Sequence, residues 1–343
     1  MDIVVLAGGI SSERNVSLSS GSLVCRALRS RGHRAVMIDA FLGLDGYDGT
    51  MEELFDHSEE DDIHIVSTEV PDIESVKNKR SAEVKGFFGN RVLEACLFAD
   101  AVFIALHGGE GEDGRVQAVL DLMGIKYTGT GPLGSGIAMD KDLTKRLLSA
   151  SGIKVPKGIM LEFEKENLSN IPVDLPCVIK PVNGGSSIGV SIVRTQNELM
   201  GALSECAKYD KRAIVEEYIE GREFTIAVLD GAALPPVEII PDGFYDYRNK
   251  YQAGAAKEIC PAEIDKEINE KLSQLAVKVH NALGLGGYSR MEFILRSDGE
   301  LFCLEANTLP GMTPTSLLPQ EALAVGMSYE ELCEKLIFMA IAK

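Results

Sequence analysis

Glu292 and Glu305 sit in two strand-like runs, SRMEFIL (residues 289–295) and ELFCLEAN (residues 300–307), and each has a further polar group two positions away, Arg290 and Asn307. The runs are joined by Arg296-Ser297-Asp298-Gly299, and Asp-Gly is a favoured two-residue hairpin turn. With Asp298 and Gly299 as the loop, Ser297 faces Glu300, Glu292 faces Glu305, and Arg290 faces Asn307. Alternation then places Arg290, Glu292, Ile294, Cys303, Glu305 and Asn307 on one face, and Met291, Phe293, Leu295, Phe302, Leu304 and Ala306 on the other. The second face is apolar and needs a core. On the first, two like charges oppose each other, which weakens a hairpin. A divalent cation removes that repulsion, and Mg²⁺ is held by one or two carboxylates together with substrate phosphates. Asn307 adds an amide oxygen, and Arg290 a fixed charge suited to negative charge developing in a reaction. The competing reading is a solvated polar face with compensating charges. The definite register weighs against it, as does Pro310-Gly311 directly after the strand.

A second stretch with chemical potential is CVIKPVNGGSSIGVSIV, residues 177–193. Two β-rich runs flank a loop of glycines and serines, with Lys180 at its entrance. Such a loop can lay N–H groups and hydroxyls on phosphate oxygens while the lysine supplies a point charge; an ordinary mobile hairpin tip is the alternative, and a lysine inside an apolar strand weighs against it. No GK[ST] follows the glycines, so it is not a Walker A loop. HGGEGEDG, residues 107–114, leaves the apolar run Ala101 to Leu106, and ligands in open α/β sheets sit at such strand ends. An ordinary flexible turn is the equal alternative there.

The elements that must carry these groups begin with a strand from Ile3 to Leu6, a Gly8-Gly9 turn, a serine-rich approach, and a helix from about Leu18 to Arg31. The strand AVMIDA follows, completing a βαβ unit and predicting a parallel sheet. Residues 45–90 are acidic with poor periodicity and read as an insertion or surface loops. VEEYIEGREFTIAVL, residues 215–229, gives strand, Glu220-Gly221 turn and strand, with a candidate hinge between them. DGFYDYRNKYQAGAAK, residues 242–257, is aromatic and charged with little periodicity, long enough for a functional lid or a disordered excursion, and mobile on either reading.

The 343 residues, 45% of them hydrophobic, suffice for two or three packed domains. A formal charge of −18 argues against a nucleic-acid partner, although a few converging lysines can still hold a nucleotide. The seven cysteines are scattered without metal-ligand spacing and read as reduced, mostly buried thiols. Neither a leader pattern nor a membrane-length apolar run is seen, so the expected location is cytoplasmic, with no membrane partner.

Taken in order, GGISSERNVS, HGGEGEDG, MDK (139–141), VIKPVNGGSSIG, EFTIAVL, FYDYRNKY and LEANTLPGMTPTSL resemble the ATP-grasp ligases, and within them the branch that joins two D-alanine molecules. The resemblance spans nearly the whole chain. It implies an α/β protein of three domains: an N-terminal parallel α/β substrate domain (1–128), a central ATP-grasp part with the phosphate loop (129–218), and a C-terminal part with lid and metal site (219–343). It implies ATP-dependent formation of D-alanyl-D-alanine for peptidoglycan precursors through an acyl phosphate, and a homodimer. Lys141, Lys180 and the loop Gly184 to Gly189, with Ser186 and Ser187, would meet the phosphates, joined by Lys250 from the lid. Glu216, Glu217, Tyr218 and Ile219 would line the adenine pocket, and Glu223 would lie near the ribose. Glu292, Glu305 and Asn307 would hold two Mg²⁺ ions, or Mn²⁺. Glu13 would hold the first D-alanine, linked to Ser186 and Tyr251, with His107 nearby. Arg290 and the Gly311 N–H would meet the oxyanion, and Ser316 with Leu317 would receive the second D-alanine. Glu292 stands where many relatives have Asp, and Glu217 where some have Lys. A ligase joining D-alanine to D-lactate and an inactive nucleotide-binding regulator are the alternatives. Tyr251 favours the dipeptide branch over the first, and the retained Arg290, Glu292, Glu305, Asn307 and Lys180 speak against the second.

Overall fold

The opening run DIVVLA has no polar side to turn to water, which suits a strand covered on both faces. The computed structural model describes residues 1–56, 71–81, 84–164, 171–172, 174–241 and 256–343. In it the run forms β1 (Asp2–Ala7), fully buried from residue 3 to residue 7. β2 (Arg34–Asp39) and β3 (Ala101–Ile104) flank it in a parallel sheet of order β2-β1-β3. Helix α1 (Arg14–Ser30) is the crossover, so the βαβ unit forms as expected. It starts a turn earlier than its apolar pattern indicates, because the serines before Leu18 have tertiary partners. Ser17 Oγ donates to the Ala105 carbonyl at 2.7 Å and accepts the Gly8 N–H at 2.8 Å. Gly8 has φ +76, and a Cβ there would lie 2.4 Å from the Asp39 carboxylate that pairs with Arg14.

The acidic segment is partly helical. Helices α2 (Met51–Asp56) and α3 (Ile73–Asn78) lie in it, and Met51, Leu54 and Phe55 of α2 join the first core. After α4 (Val92–Phe98), α5 (Arg115–Leu122), α6 (Pro132–Met139) and α7 (Lys141–Ala150), a second sheet begins. It comprises β4 (Gly158–Glu162), β5 (Cys177–Pro181), β6 (Ser191–Val193) and β7 (Arg212–Glu217), antiparallel in the order β4-β7-β5-β6. β5 and β6 are the predicted hairpin around the glycine-serine loop, paired from Cys177 with Val193 to Ile179 with Ser191. Helix α8 (Gln196–Cys206) covers it with Leu199 and Leu203 over Ile179 and Val215.

A third sheet contains β8 (Gly221–Leu229), β9 (Ala232–Ala233), β10 (Val237–Pro241), β11 (Ala256–Ile259), β12 (Tyr288–Arg296) and β13 (Leu301–Asn307). Its order is β11-β10-β8-β12-β13, with β9 on β8. β7 and β8, read from sequence as strand, turn and strand, belong to different sheets, and Tyr218 to Glu220 link them. The helix Lys266–Ala282 buries Leu272, Ala276 and Val279 against Phe224, Ile226, Met291 and Phe293. The helix Tyr329–Ile341 returns to the first sheet, with Leu332, Leu336 and Ile337 in the same core as Val24 and Leu28. All seven cysteines are free thiols, and six are buried. Among the described residues, no helix is long and apolar enough to cross a membrane.

Candidate active site

The β12–β13 hairpin opposes Glu292 to Glu305, Arg290 to Asn307 and Met291 to Ala306, as its sequence predicts. Nearer the turn the pairing is one residue shorter, with Phe293 opposite Cys303 and Ile294 opposite Phe302. The turn is the cause. Arg296 N–H donates to the Glu300 carbonyl at 2.9 Å, so Ser297, Asp298 and Gly299 form a three-residue loop, with Gly299 at φ +84. A β-bulge beside Glu292, with Leu304 as the extra residue, restores the pairing. The expected face of Cys303 is therefore corrected: it lies in the core with Met291 and Phe293. Leu304, assigned to the core face, lines the cleft beside Glu305 and Ile294.

Each opposed carboxylate has a cation beside it. Arg290 Nη2 donates to Glu292 Oε1 at 2.7 Å, and Lys141 Nζ lies 3.6 Å from Glu305 Oε2. Side-chain cations thus already soften the repulsion that the sequence assigns to a metal. Glu292, Glu305 and the Asn307 amide still present oxygen donors, the chemistry Mg²⁺ prefers. Asn307 Oδ1 accepts the Leu309 N–H at 2.8 Å and retains a second lone pair. Among the described residues, three His, Cys, Asp or Glu side chains nowhere gather as a metal site. Two carboxylates and an amide suit a cation whose remaining ligands come from phosphate and water.

Between the second and third sheets lies a cleft of about 790 Å³, within the range of small-molecule sites. Lys141, Lys180, Glu216, Glu217, Tyr218, Ile219, Glu223, Glu292 and Glu305 all line it, as do Gly184, Gly185, Ser187 and Ile188 of the loop. Lys141 Nζ donates to the Gly184 carbonyl at 2.5 Å, tying the helix α7 to the loop. Ser186 and Ser187 both take left-handed backbone, at φ +53 and +57, a costly conformation for residues with a Cβ. Lys180 Nζ is 2.8 Å from Glu216 Oε1. Burial pulls the Lys180 ammonium down, but the Glu216 and Glu305 carboxylates outweigh it and hold it above its ordinary value. Burial likewise opposes ionisation of Glu216, and Lys180 and Lys145 overcome it. Glu217 accepts the Lys157 N–H at 2.9 Å, a role that a lysine at this position could not fill. Arg194 lies over the Tyr218 ring, 5.4 Å from its centroid.

The N-terminal unit contributes Glu13, the residue preceding α1. Ser186 Oγ donates to Glu13 Oε1 in a short, buried bond. Ser11 donates to the His107 carbonyl at 2.5 Å and accepts the Glu13 N–H at 3.1 Å, which brings Glu13 and His107 together. His107 is buried, its Nε2 3.4 Å from Ser20 Oγ. At the other end, a Cβ on Gly311 would meet Ser316 Oγ at 2.9 Å, so these two residues are neighbours. Ser316 precedes the helix Leu317–Ala324, and Leu317 packs with Val237 and Ile239. Lys250 and Tyr251 lie outside the described residues.

Lys145 is the charged group that sequence reasoning missed. It lies 2.6 Å from Glu216 Oε2, the carboxylate oxygen that Lys180 does not take. The signal was available: positions 141, 144, 145 and 148 form the buried stripe of α7, and two of the four are lysines.

A parallel sheet followed by two antiparallel sheets that enclose lysines, a glycine-serine loop and opposed carboxylates defines an ATP-grasp enzyme. The family model described as D-ala D-ala ligase N-terminus matches residues 2–130, and that described as D-ala D-ala ligase C-terminus matches residues 147–338. The chain belongs to the D-alanine–D-alanine ligase family. It is 46% identical to the D-alanine–D-alanine ligase of Pediococcus pentosaceus, over 98% of this chain and 97% of that protein. It is 38% identical to that of Halalkalibacterium halodurans over the full length of both. The crystal structure of the Bacillus anthracis D-alanine–D-alanine ligase complexed with ATP matches all of this chain and 98% of that one, at 30% identity and a TM-score of 0.74.

Proposed function

We propose that the chain condenses two D-alanine molecules into D-alanyl-D-alanine, converting ATP to ADP and phosphate, in the cytoplasm and as a homodimer, to supply peptidoglycan precursors. The observation that carries this reading is the Ser186–Glu13 bond, which brings a carboxylate able to hold an amino-acid ammonium against the loop able to hold phosphates. Family membership and the nucleotide-sized cleft agree with it.

The carboxylate of the first D-alanine, anchored through its ammonium at Glu13 with His107 close by, attacks the γ-phosphorus, and ADP leaves. Lys141, Lys180 and the Gly184 to Gly189 loop hold the phosphates in line, with Ser186 and Ser187 at its tip. Glu216, Glu217, Tyr218 and Ile219 face the adenine, and Glu223 the ribose. Glu292, Glu305 and Asn307 would hold Mg²⁺, which when bound neutralises charge on the transferring phosphoryl group. The amine of the second D-alanine, received by Ser316 and Leu317, adds to the D-alanyl phosphate carbonyl. Arg290 and the Gly311 N–H meet the resulting oxyanion, and loss of such a donor costs about 3 kcal/mol of barrier lowering. Phosphate then leaves as the amide forms. Residues 1–128, 129–218 and 219–343 would act as three domains around this site, with the family resemblance assigning Lys250 to the phosphates and Tyr251 to the Glu13 link.

The test is product analysis. Purified protein with ATP, Mg²⁺ and D-alanine is expected to yield dipeptide and phosphate together, and to favour dipeptide over ester when D-lactate is added. No D-alanine-dependent phosphate release contradicts the ligase reading, and a dominant ester at neutral pH contradicts the choice of acceptor.

A further inference from the structure

Three charged side chains are buried together at the wall of the nucleotide cleft. Glu216 on β7 is 2% exposed, Lys180 on β5 is 7% exposed and Lys145 on α7 is 8% exposed. Each lysine takes a different oxygen of the carboxylate, Lys180 at 2.8 Å from Oε1 and Lys145 at 2.6 Å from Oε2. Lys180 and Glu216 line the cleft, whereas Lys145 does not. It stands one helical turn beyond Lys141, on the same buried stripe.

We propose that Lys145 is a positioning residue for ATP: it remains as the counter-ion of Glu216, which leaves Lys180 free to give its charge to the nucleotide phosphates. This rests on the ATP-dependent reading above.

A carboxylate removed from water needs a cation in contact, and taking one partner from a buried pair leaves an uncompensated charge. Were Lys180 the sole partner, turning to phosphate would strand Glu216, and staying would cancel its charge before the nucleotide met it. The second lysine removes that conflict, because either lysine alone can neutralise Glu216 and the trio keeps a net positive charge. The geometry fits this division of labour, with Lys180 at the cleft wall and Lys145, paired to the other oxygen of the carboxylate, not lining it. Burial, then the charge of Lys180, draws the Lys145 ammonium down to about 8, with Glu216 opposing the shift, so Lys145 is charged at neutral pH.

The test compares Lys145→Met, Lys145→Arg and the double variant Lys145→Met/Glu216→Gln in the full chain. Mg-ADP binding is measured by calorimetry, together with KM for ATP and for D-alanine. Lys145→Met is expected to weaken ADP binding and raise the ATP KM about tenfold or more, with the D-alanine KM within about twofold. Lys145→Arg keeps the charge and stays near wild type. The double variant, which has no carboxylate left to strand, binds ADP more tightly than Lys145→Met. A Lys145→Met protein that fails to fold while the double variant folds and binds ADP is the same result in stronger form. ADP binding within twofold of wild type in Lys145→Met overturns the proposal, as does a double variant that is no better than the single one or does not fold. Because the readout is ADP binding, a wild-type protein that binds nucleotide but makes no dipeptide sinks the ligase reading separately.

Discussion

The Ser186 hydroxyl donates to the Glu13 carboxylate, a buried bond between residues 173 positions apart that fastens the glycine-serine loop to the N-terminal unit. Two consecutive serines in left-handed backbone hold that hydroxyl in place. Ser186→Ala removes a hydrogen bond to a charged group, worth about 1.5–3 kcal/mol. The expected effect is a fall of roughly 10- to 100-fold in kcat/KM for D-alanine, with a smaller change in the ATP KM because the loop's backbone N–H groups remain to meet the phosphates. Steady-state kinetics in both substrates checks this, and an equal loss in the ATP KM would place the bond's effect on the nucleotide instead.

The two faces of the β12–β13 hairpin do different work. Phe293 is fully buried in the core beneath the third sheet. Phe293→Ala is expected to lower stability by about 3–5 kcal/mol in urea unfolding. Glu305→Gln leaves the unfolding midpoint close to wild type but raises the Mg²⁺ needed for half-maximal rate by about tenfold or more. Unchanged Mg²⁺ dependence in that variant would remove Glu305 from the metal set.

Cys303 reports on the corrected pairing. It is fully buried, and burial above all pushes its thiol up to about 12. Native protein at pH 8 is therefore expected to leave Cys303 unalkylated while Cys260, partly exposed, reacts first. Peptide mapping after iodoacetamide decides the point, and early labelling of Cys303 would restore it to the cleft face.

A pH dependence follows from Lys145, which faces Glu216 from β7, Lys180 from β5 and Cys303 from β13. Its ammonium, drawn down by burial to about 8, loses its proton as pH rises through that value. Glu216 then keeps only Lys180. The kcat/KM for ATP of the free enzyme is expected to fall above about pH 8, and Lys145→Arg, which holds its proton throughout, moves the fall upward. A pH profile identical in the two proteins contradicts this assignment.

The parts legible in the sequence share a physical basis. Alternation and a buried face oblige Glu292 to meet Glu305, and two apolar runs around a glycine-serine stretch predict the β5–β6 hairpin, where Lys180 at the entrance favours a binding loop over a plain hairpin tip. The turn misled because Asp-Gly serves a two-residue and a three-residue hairpin alike. Asp298 accepts both the Arg296 guanidinium and the Glu300 N–H, and neither bond leaves a mark in the sequence. The early start of α1 was hidden for a related reason, since serine disfavours helix unless tertiary partners such as Ala105 take its hydroxyl. The bond between Glu13 and Ser186 joins distant segments, and only the family resemblance anticipated it. The Lys145 stripe is legible only in part, because a lysine on a buried helix face reads as solvated until its carboxylate partner is seen.

The most direct measurement follows one oxygen atom. D-alanine labelled with ¹⁸O in its carboxylate is incubated with ATP and Mg²⁺, and the released phosphate is analysed by mass. Attack of that carboxylate on the γ-phosphorus predicts one ¹⁸O in each phosphate, released together with D-alanyl-D-alanine. Phosphate that carries no label, or dipeptide formed without phosphate, contradicts an acyl phosphate at this site.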